Sequence, residues 1–211
     1  MAAEALFQPW SFKGLNLKNR LVMAPMTRSF SPDGVVTEEV AQYYRRRAAG
    51  EVGLIITEGT GVDRAASLND RNVPRFHGEK ELAGWKRVAD EVHAEGGAIA
   101  PQLWHVGAVR SRDPEWNPKG GYDSPSGLSS PGKKFGEGMS EEAVADAIDA
   151  FARAAADAKR LGFETIELHG AHGYLIDQFF WDGTNAREDA YGSKGLPGRA
   201  RFAADILRAL P

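Results

Sequence analysis

The sequence predicts an α/β fold on the β/α-barrel plan. Three observations carry that prediction. Apolar, β-branched runs of strand length alternate with amphipathic stretches of helical period. Capping residues and glycines mark most of the boundaries between them. Regular strand-helix alternation with right-handed crossovers also sends the strand exits at Thr27, Gly59, Gln102 and His169 to one rim, where parallel α/β proteins hold ligands.

Each element follows from its own residues. Residues 1–20 hold Leu6-Phe7-Gln8-Pro9-Trp10 and Phe12-Lys13-Gly14-Leu15, apolar pieces broken by Pro and Gly, and predict a small capping β-hairpin. Residues 20–26 read as a first buried strand, ended by Pro25, with Thr27 and Arg28 at its exit. Thr37 caps a helix with Glu38 and Glu39 in its first turn, and Gly50 stops it. Residues 52–58 are a second buried strand, followed by Gly59-Thr60-Gly61. The spacing Gly59-x-Gly61-x-x-Arg64 begins like a dinucleotide fingerprint. Its third position is Arg, and residues 63–74 lack a helical pattern, so that reading is rejected.

Leu82, Trp85, Val88, Ala89 and Val92 share one face of a helix closed by Gly96-Gly97. Residues 98–104 form a third strand, interrupted at Pro101 and followed by His105-Val106-Gly107. Residues 111–139 are rich in Gly, Pro and Ser and predict a long loop over the active-site face, placed as a lid. Ser140 opens a long helix that turns Val144, Ile148, Phe151, Ala155 and Ala158 inward and ends at Gly162. Residues 165–168 form a fourth buried strand. Residues 177–181 continue from the loop after it, and residues 200–210 form a last helix. The expectation is one domain over residues 1–211, with an N-terminal hairpin and roughly the first four β/α units of a (β/α)8 TIM barrel.

Composition excludes several function classes. The 211 residues are 42% hydrophobic and 26% charged with net charge −3, a soluble globular profile with material for a sizeable core. No apolar run approaches the ~20 residues of a membrane span, and no basic-then-apolar leader opens the chain. The acidic balance argues against a nucleic-acid partner. Arg45-Arg46-Arg47 lies in a helical pattern and reads as a solvated face. Zero cysteines exclude disulfides and thiol chemistry and agree with a cytoplasmic location.

The densest chemistry lies in Glu167-Leu168-His169-Gly170-Ala171-His172-Gly173-Tyr174-Leu175. A strand stops, and two imidazoles and a phenol follow among small residues. Imidazoles can donate to one developing oxyanion, and a phenol can deliver a proton. His-x-x-His is also half a metal site, but no cysteine and no third ligand at metal spacing accompany it, so no metal is expected.

Five blocks together resemble the Old Yellow Enzyme family of flavin-dependent ene-reductases. They are Asn19-Arg20-Leu21-Val22-Met23-Ala24-Pro25-Met26-Thr27-Arg28, Leu54-Ile55-Ile56-Thr57-Glu58-Gly59, Gln102-Leu103-Trp104-His105-Val106-Gly107, the segment from Glu167 through Phe179, and Asn185-x-Arg187-x-Asp189-x-Tyr191-Gly192-Ser193. The resemblance implies a β/α barrel binding FMN at the carboxyl ends of its strands. It implies Ala24, Pro25 and Met26 along the isoalloxazine, Thr27 at the carbonyl beside the reactive nitrogen, Gly59 close to the ring, and Gln102 on the pyrimidine edge. His169 would touch both cofactor and substrate. With His172 it would hold the oxygen of an enone or nitroalkene, while Tyr174 protonates the α-carbon and Trp104 shapes the pocket. NADPH or NADH would reduce FMN in a ping-pong cycle.

The sequence also departs from the family pattern. The family chains are longer, so strands five to eight are expected from a missing C-terminal half or from a second copy of this chain. The alternative is a truncated half-barrel without flavin chemistry, acting as a binding or scaffold module. Tyr191-Gly192-Ser193 is one glycine short of the usual motif, and Leu196-Pro197-Gly198-Arg199 replaces the usual residues, so the local structure around the fourth helix is expected to differ from the family pattern. Ala65-Ala66-Ser67 stands where an aromatic is frequent, implying a wider pocket.

Overall fold

The computed structural model describes residues 3–111, 116, 121–192 and 195–211. In chain order the elements are β1 (Trp10–Phe12), β2 (Leu15–Leu17), β3 (Val22–Met23), α1 (Glu38–Ala49), β4 (Leu54–Gly61), α2 (Glu79–Ala94), β5 (Ala98–Trp104), β6 (Leu128–Ser130), β7 (Lys133–Lys134), α3 (Glu141–Leu161), β8 (Glu167–Leu168), α4 (Leu175–Phe180), α5 (Leu196–Arg199) and α6 (Arg201–Ala209). A four-stranded sheet runs in the order β3-β4-β5-β8, with β3 parallel to β4. None of the described helices is long and apolar enough to cross a membrane.

The chain divides into two compact units. The first holds residues 1–60, 71–103 and 157–167; the second holds residues 61–70, 104–156 and 168–211.

In the first unit, β1 and β2 form the expected antiparallel hairpin, Trp10 opposite Leu17. Leu17 packs with Leu54, Ala98 and Ala100 at the start of β4 and β5. Thr37 caps α1 through its side chain, which accepts from the Val40 N–H. Helices α1 and α2 pack together, and Arg45 of the basic run bonds Glu91 and Glu95 at 2.9 and 2.8 Å. Trp85 of α2 is fully buried among Tyr44, Phe76 and Phe163, ring centroids 5.7–6.4 Å away. Trp85, Val88, Ala89 and Val92 are buried as the helical pattern required.

Two strands differ from expectation. Val22 is 51% exposed and β3 spans only two residues; β8 also spans two, both half-buried. Each stands at an end of the sheet order and, among the described residues, pairs with one strand, which leaves its other backbone edge without a ladder partner. Glycine did not end the second strand: β4 runs through Gly59 and Thr60 to Gly61. Nor did Pro101 interrupt the third, since β5 is continuous. Proline lacks one donor but shares the extended backbone of its neighbours.

In the second unit, Ser140 Oγ accepts from the Ala143 N–H at the start of α3, where Val144, Ile148, Phe151 and Ala155 are buried as expected. The long-loop region contains the β6–β7 hairpin, closed at Gly132 (φ 71°), which period-2 reading missed because the strands span three and two residues. Residues 112–115 and 117–120 of that region lie outside the described residues. Residues 177–181, expected to continue from the loop after the fourth strand, fall mostly in helix α4 (Leu175–Phe180). Phe179 stacks on Phe202 of α6 with centroids 4.2 Å apart. Leu196–Arg199 forms the short helix α5, while Ser193 lies outside the described residues.

Candidate active site

The first unit holds the residues expected around a flat ring. Ala24, Met26 and Thr27 follow β3 on exposed backbone; Pro25 is partly covered. Apolar Met26 is 50% exposed. The segment is anchored one residue on. The Arg28 N–H donates to Glu58 Oε2 (3.2 Å), and its guanidinium donates to Glu58 Oε1 (3.1 Å). Glu58 also accepts from the Tyr44 hydroxyl (3.3 Å), whose oxygen accepts the Glu58 N–H (2.9 Å). Burial pushes the Tyr44 phenol far up, with the Glu58 carboxylate adding to it, so it stays a neutral donor. Gly59 is buried in β4.

Gln102, 7% exposed in β5, is fixed three ways. Its N–H donates to Thr57 Oγ1 (3.2 Å), its C=O accepts from Thr60 Oγ1 (3.0 Å), and its side-chain Nε2 donates to Glu167 Oε1 (2.7 Å). An open surface mixing apolar groups and a hydroxyl, a residue without Cβ, and an anchored amide fit the ring portion of FMN.

The second unit brings the four other expected residues together. Trp104 stacks on His169 at 6.0 Å between centroids and meets Tyr174 edge-on at 4.9 Å. His169 lies 4.8 Å from Tyr174 and 5.2 Å from His172. Local backbone explains the convergence. His172 (φ 60°) and Gly173 (φ 73°) are both left-handed, which folds the chain back so that Tyr174 returns to His169. Asp177 and Gln178 brace that turn: the Gly173 N–H donates to Asp177 Oδ2 (2.7 Å), and Gln178 Nε2 donates to the Gly173 carbonyl (2.6 Å). Gln178 Oε1 accepts the Ala108 N–H (3.1 Å), tying the turn to the segment after Trp104.

Burial lowers the His169 pKa, and nearby His172 lowers it further. His169 is therefore neutral near pH 7. Its Nδ1 accepts the Ala171 N–H (3.4 Å), which leaves the proton on Nε2 as a donor.

A second polar centre was not foreseen. His105, fully buried, bonds Asp123 Oδ2 through Nε2 (2.9 Å) and accepts the Gly107 N–H at Nδ1 (3.0 Å). Arg64 grips the same carboxylate with two bonds of 2.9 Å. Burial alone would raise the Asp123 carboxyl, but His105 and Arg64 outweigh it and hold it below the usual range. A cavity of about 440 Å³ opens here, lined by Asp63, Arg64, Ala65, Ala66, Asp123, Asp146 and Arg153. No single stretch of sequence signals the pair, since Arg64 and Asp123 are 59 residues apart. Glu58 and Glu167 did leave a trace, as acids inside β-type runs.

His105 and His169 make a joint prediction. Burial, the leading cause for each, depresses both pKa values from 6.5. Below pH 6.5 the unfolded chain takes up protons that the folded chain refuses, so stability should decline as pH falls through that value. Above it both states are neutral and the contribution is flat. Urea midpoints at pH 5.5 and 7.5 check this; equal or higher stability at pH 5.5 would contradict it.

The chain matches the model of the NADH:flavin oxidoreductase / NADH oxidase family over residues 5–210. It belongs to that family. Among its relatives, the NADP-dependent oxidoreductase lnbE of Aspergillus flavus is 38% identical over 97% of this chain and 54% of its own length. The NADPH dehydrogenase of Halalkalibacterium halodurans is 37% identical over 96% and 58%. Morphinone reductase in complex with tetrahydroNAD superposes with a TM-score of 0.86 at 35% identity, covering 97% of this chain and 60% of that one. An Old Yellow Enzyme homologue from Zymomonas mobilis gives 0.85 at 33% identity, covering 97% and 59%. The Old Yellow Enzyme resemblance is borne out, as is the β/α-barrel class. The chain carries the N-terminal portion of that barrel and spans between half and two thirds of the length of these family members.

Proposed function

We propose that this chain carries the ring- and substrate-binding residues of an FMN-dependent NAD(P)H oxidoreductase that reduces activated C=C bonds in enones and nitroalkenes. The observation that carries this reading is the convergence of Trp104, His169, His172 and Tyr174. Two imidazoles and a phenol suit a substrate with an oxygen to polarise and a carbon to protonate.

Bound FMN supplies hydride chemistry, linking NADPH or NADH to the alkene in alternate half-reactions. The residues divide the remaining work. His169, through Nε2–H, and His172 hold the carbonyl or nitro oxygen, which draws electrons from the alkene. Tyr174 hands its hydroxyl proton to the α-carbon. Trp104 forms an apolar wall. Ala24, Pro25 and Met26 would hold the ring, with Thr27 as donor to its carbonyl, Gly59 admitting close approach and Gln102 at the pyrimidine edge; His169 would serve both ligands. A C-terminal half or a second copy completes the barrel. The cysteine-free sequence suits a reducing compartment such as the cytoplasm.

The test is the visible spectrum of the 211-residue chain during FMN titration, then with anaerobic NADPH, then with an enone. Bound flavin that bleaches and is reoxidised by the enone is expected. Replacing His169 and His172 together by Ala should slow that reoxidation by at least about a hundredfold, with reduction by NADPH within about threefold of the original. A chain that never binds FMN would instead mean that its residues await the C-terminal half of the barrel, or that it is a binding or scaffold module without flavin chemistry.

A further inference from the structure

Resting on the flavin reading, we propose that Glu167 is a positioning residue that decides which end of the Gln102 amide is offered to the flavin. An ionised carboxylate only accepts hydrogen bonds, whereas a primary amide has one donating and one accepting end of nearly equal shape. With Nε2 drawn to Glu167 Oε1 at 2.7 Å, the amide carbonyl is turned away from Glu167. The backbone cannot drift to undo this, since Thr57 and Thr60 hold the Gln102 N–H and C=O. Gln102 is therefore a pre-set acceptor. The pyrimidine edge of a flavin shows a carbonyl, an N–H and a carbonyl in a row, and an outward amide oxygen selects the N–H. An amide free to rotate would offer its NH2 to a carbonyl as readily.

The consequence is specific to the flavin N3 proton. An acceptor facing N3–H disfavours its loss; a donor favours it. In the 15N-labelled, flavin-free chain, the Gln102 side-chain amide should exchange at least about tenfold more slowly than in Glu167→Met. With FMN bound, N3 deprotonation, followed by absorbance, should lie above that of free FMN and fall by about one pH unit in Glu167→Met. The effect must pass through Gln102, so Glu167→Met should add no shift in a Gln102→Met background. If Glu167→Met fails to fold, Glu167→Asp retains the charge, withdraws the acceptor by one methylene, and should produce the same fall. If the chain binds no FMN, the flavin-free exchange measurement decides alone: a Gln102 amide that exchanges equally fast in Glu167→Met overturns the role of Glu167. A chain that binds FMN but shows no fall, or the same fall without Gln102, overturns the role of Glu167 and leaves the flavin reading standing.

Discussion

A Glu58→Ala chain is expected to lose about 4 kcal/mol of folding stability. The Glu58 side chain is fully buried, and Arg28, its cationic partner, is 17% exposed. Three donors converge on its carboxylate: the Arg28 guanidinium, the Arg28 N–H and the Tyr44 hydroxyl. Truncation leaves a cation and a phenol in a dry site and opens a cavity, and an uncompensated buried charge is among the costliest defects a point change makes. Arg28 cannot swing free, because its guanidinium lies over the Tyr43 ring at 3.6 Å. Glu58→Gln retains an acceptor and should lose about half as much; Tyr44→Phe should lose about 1 kcal/mol. Urea midpoints of the three variants check the order. A Glu58→Ala loss under about 1 kcal/mol would mean the network contributes little.

An Asp123→Ala chain should lose about 3 kcal/mol. The Asp123 carboxylate satisfies two groups at once, the buried His105 Nε2–H and the Arg64 fork. His105 cannot compensate by changing tautomer, because the Gly107 N–H already occupies Nδ1. Arg64 is better placed than Arg28: it also lies 3.8 Å from Asp146, an exposed second carboxylate, which lowers the expected figure below that for Glu58. Asp123→Asn keeps an acceptor for His105 while weakening the grip of Arg64, and should lose about 1 kcal/mol. The Ala and Asn variants should therefore separate clearly in thermal unfolding. If both melt with the parent chain, the three-residue centre is not a stabilising element.

The two networks show what could be read in advance and what could not. Helix α1 was legible because its signals are local: Thr37 at the cap, two acids in the first turn and Gly50 at the stop. The inward face of α3 followed from period 3.6 alone. The His169–His172–Tyr174 grouping was legible because its members lie within six residues of one another. Strand burial was less so, because an apolar run does not reveal how many neighbours it will have. Val22 reads as a core residue and stands half-exposed in an end strand. The left-handed backbone of His172 was also hidden, since only glycine advertises that conformation.

Residue order alone carries the alternation of strands and helices, the caps, the barrel class and the family. Each rests on residue order over short spans or on blocks of consecutive residues. Folding alone brings Glu167 to the amide end of Gln102, 65 residues away, joins Asp123 to both His105 and Arg64, and sets Trp104 against Tyr174. Such pairings join residues far apart in the chain, and the free energy that selects them comes from burying polar groups with their partners, a quantity that exists only once the chain has folded.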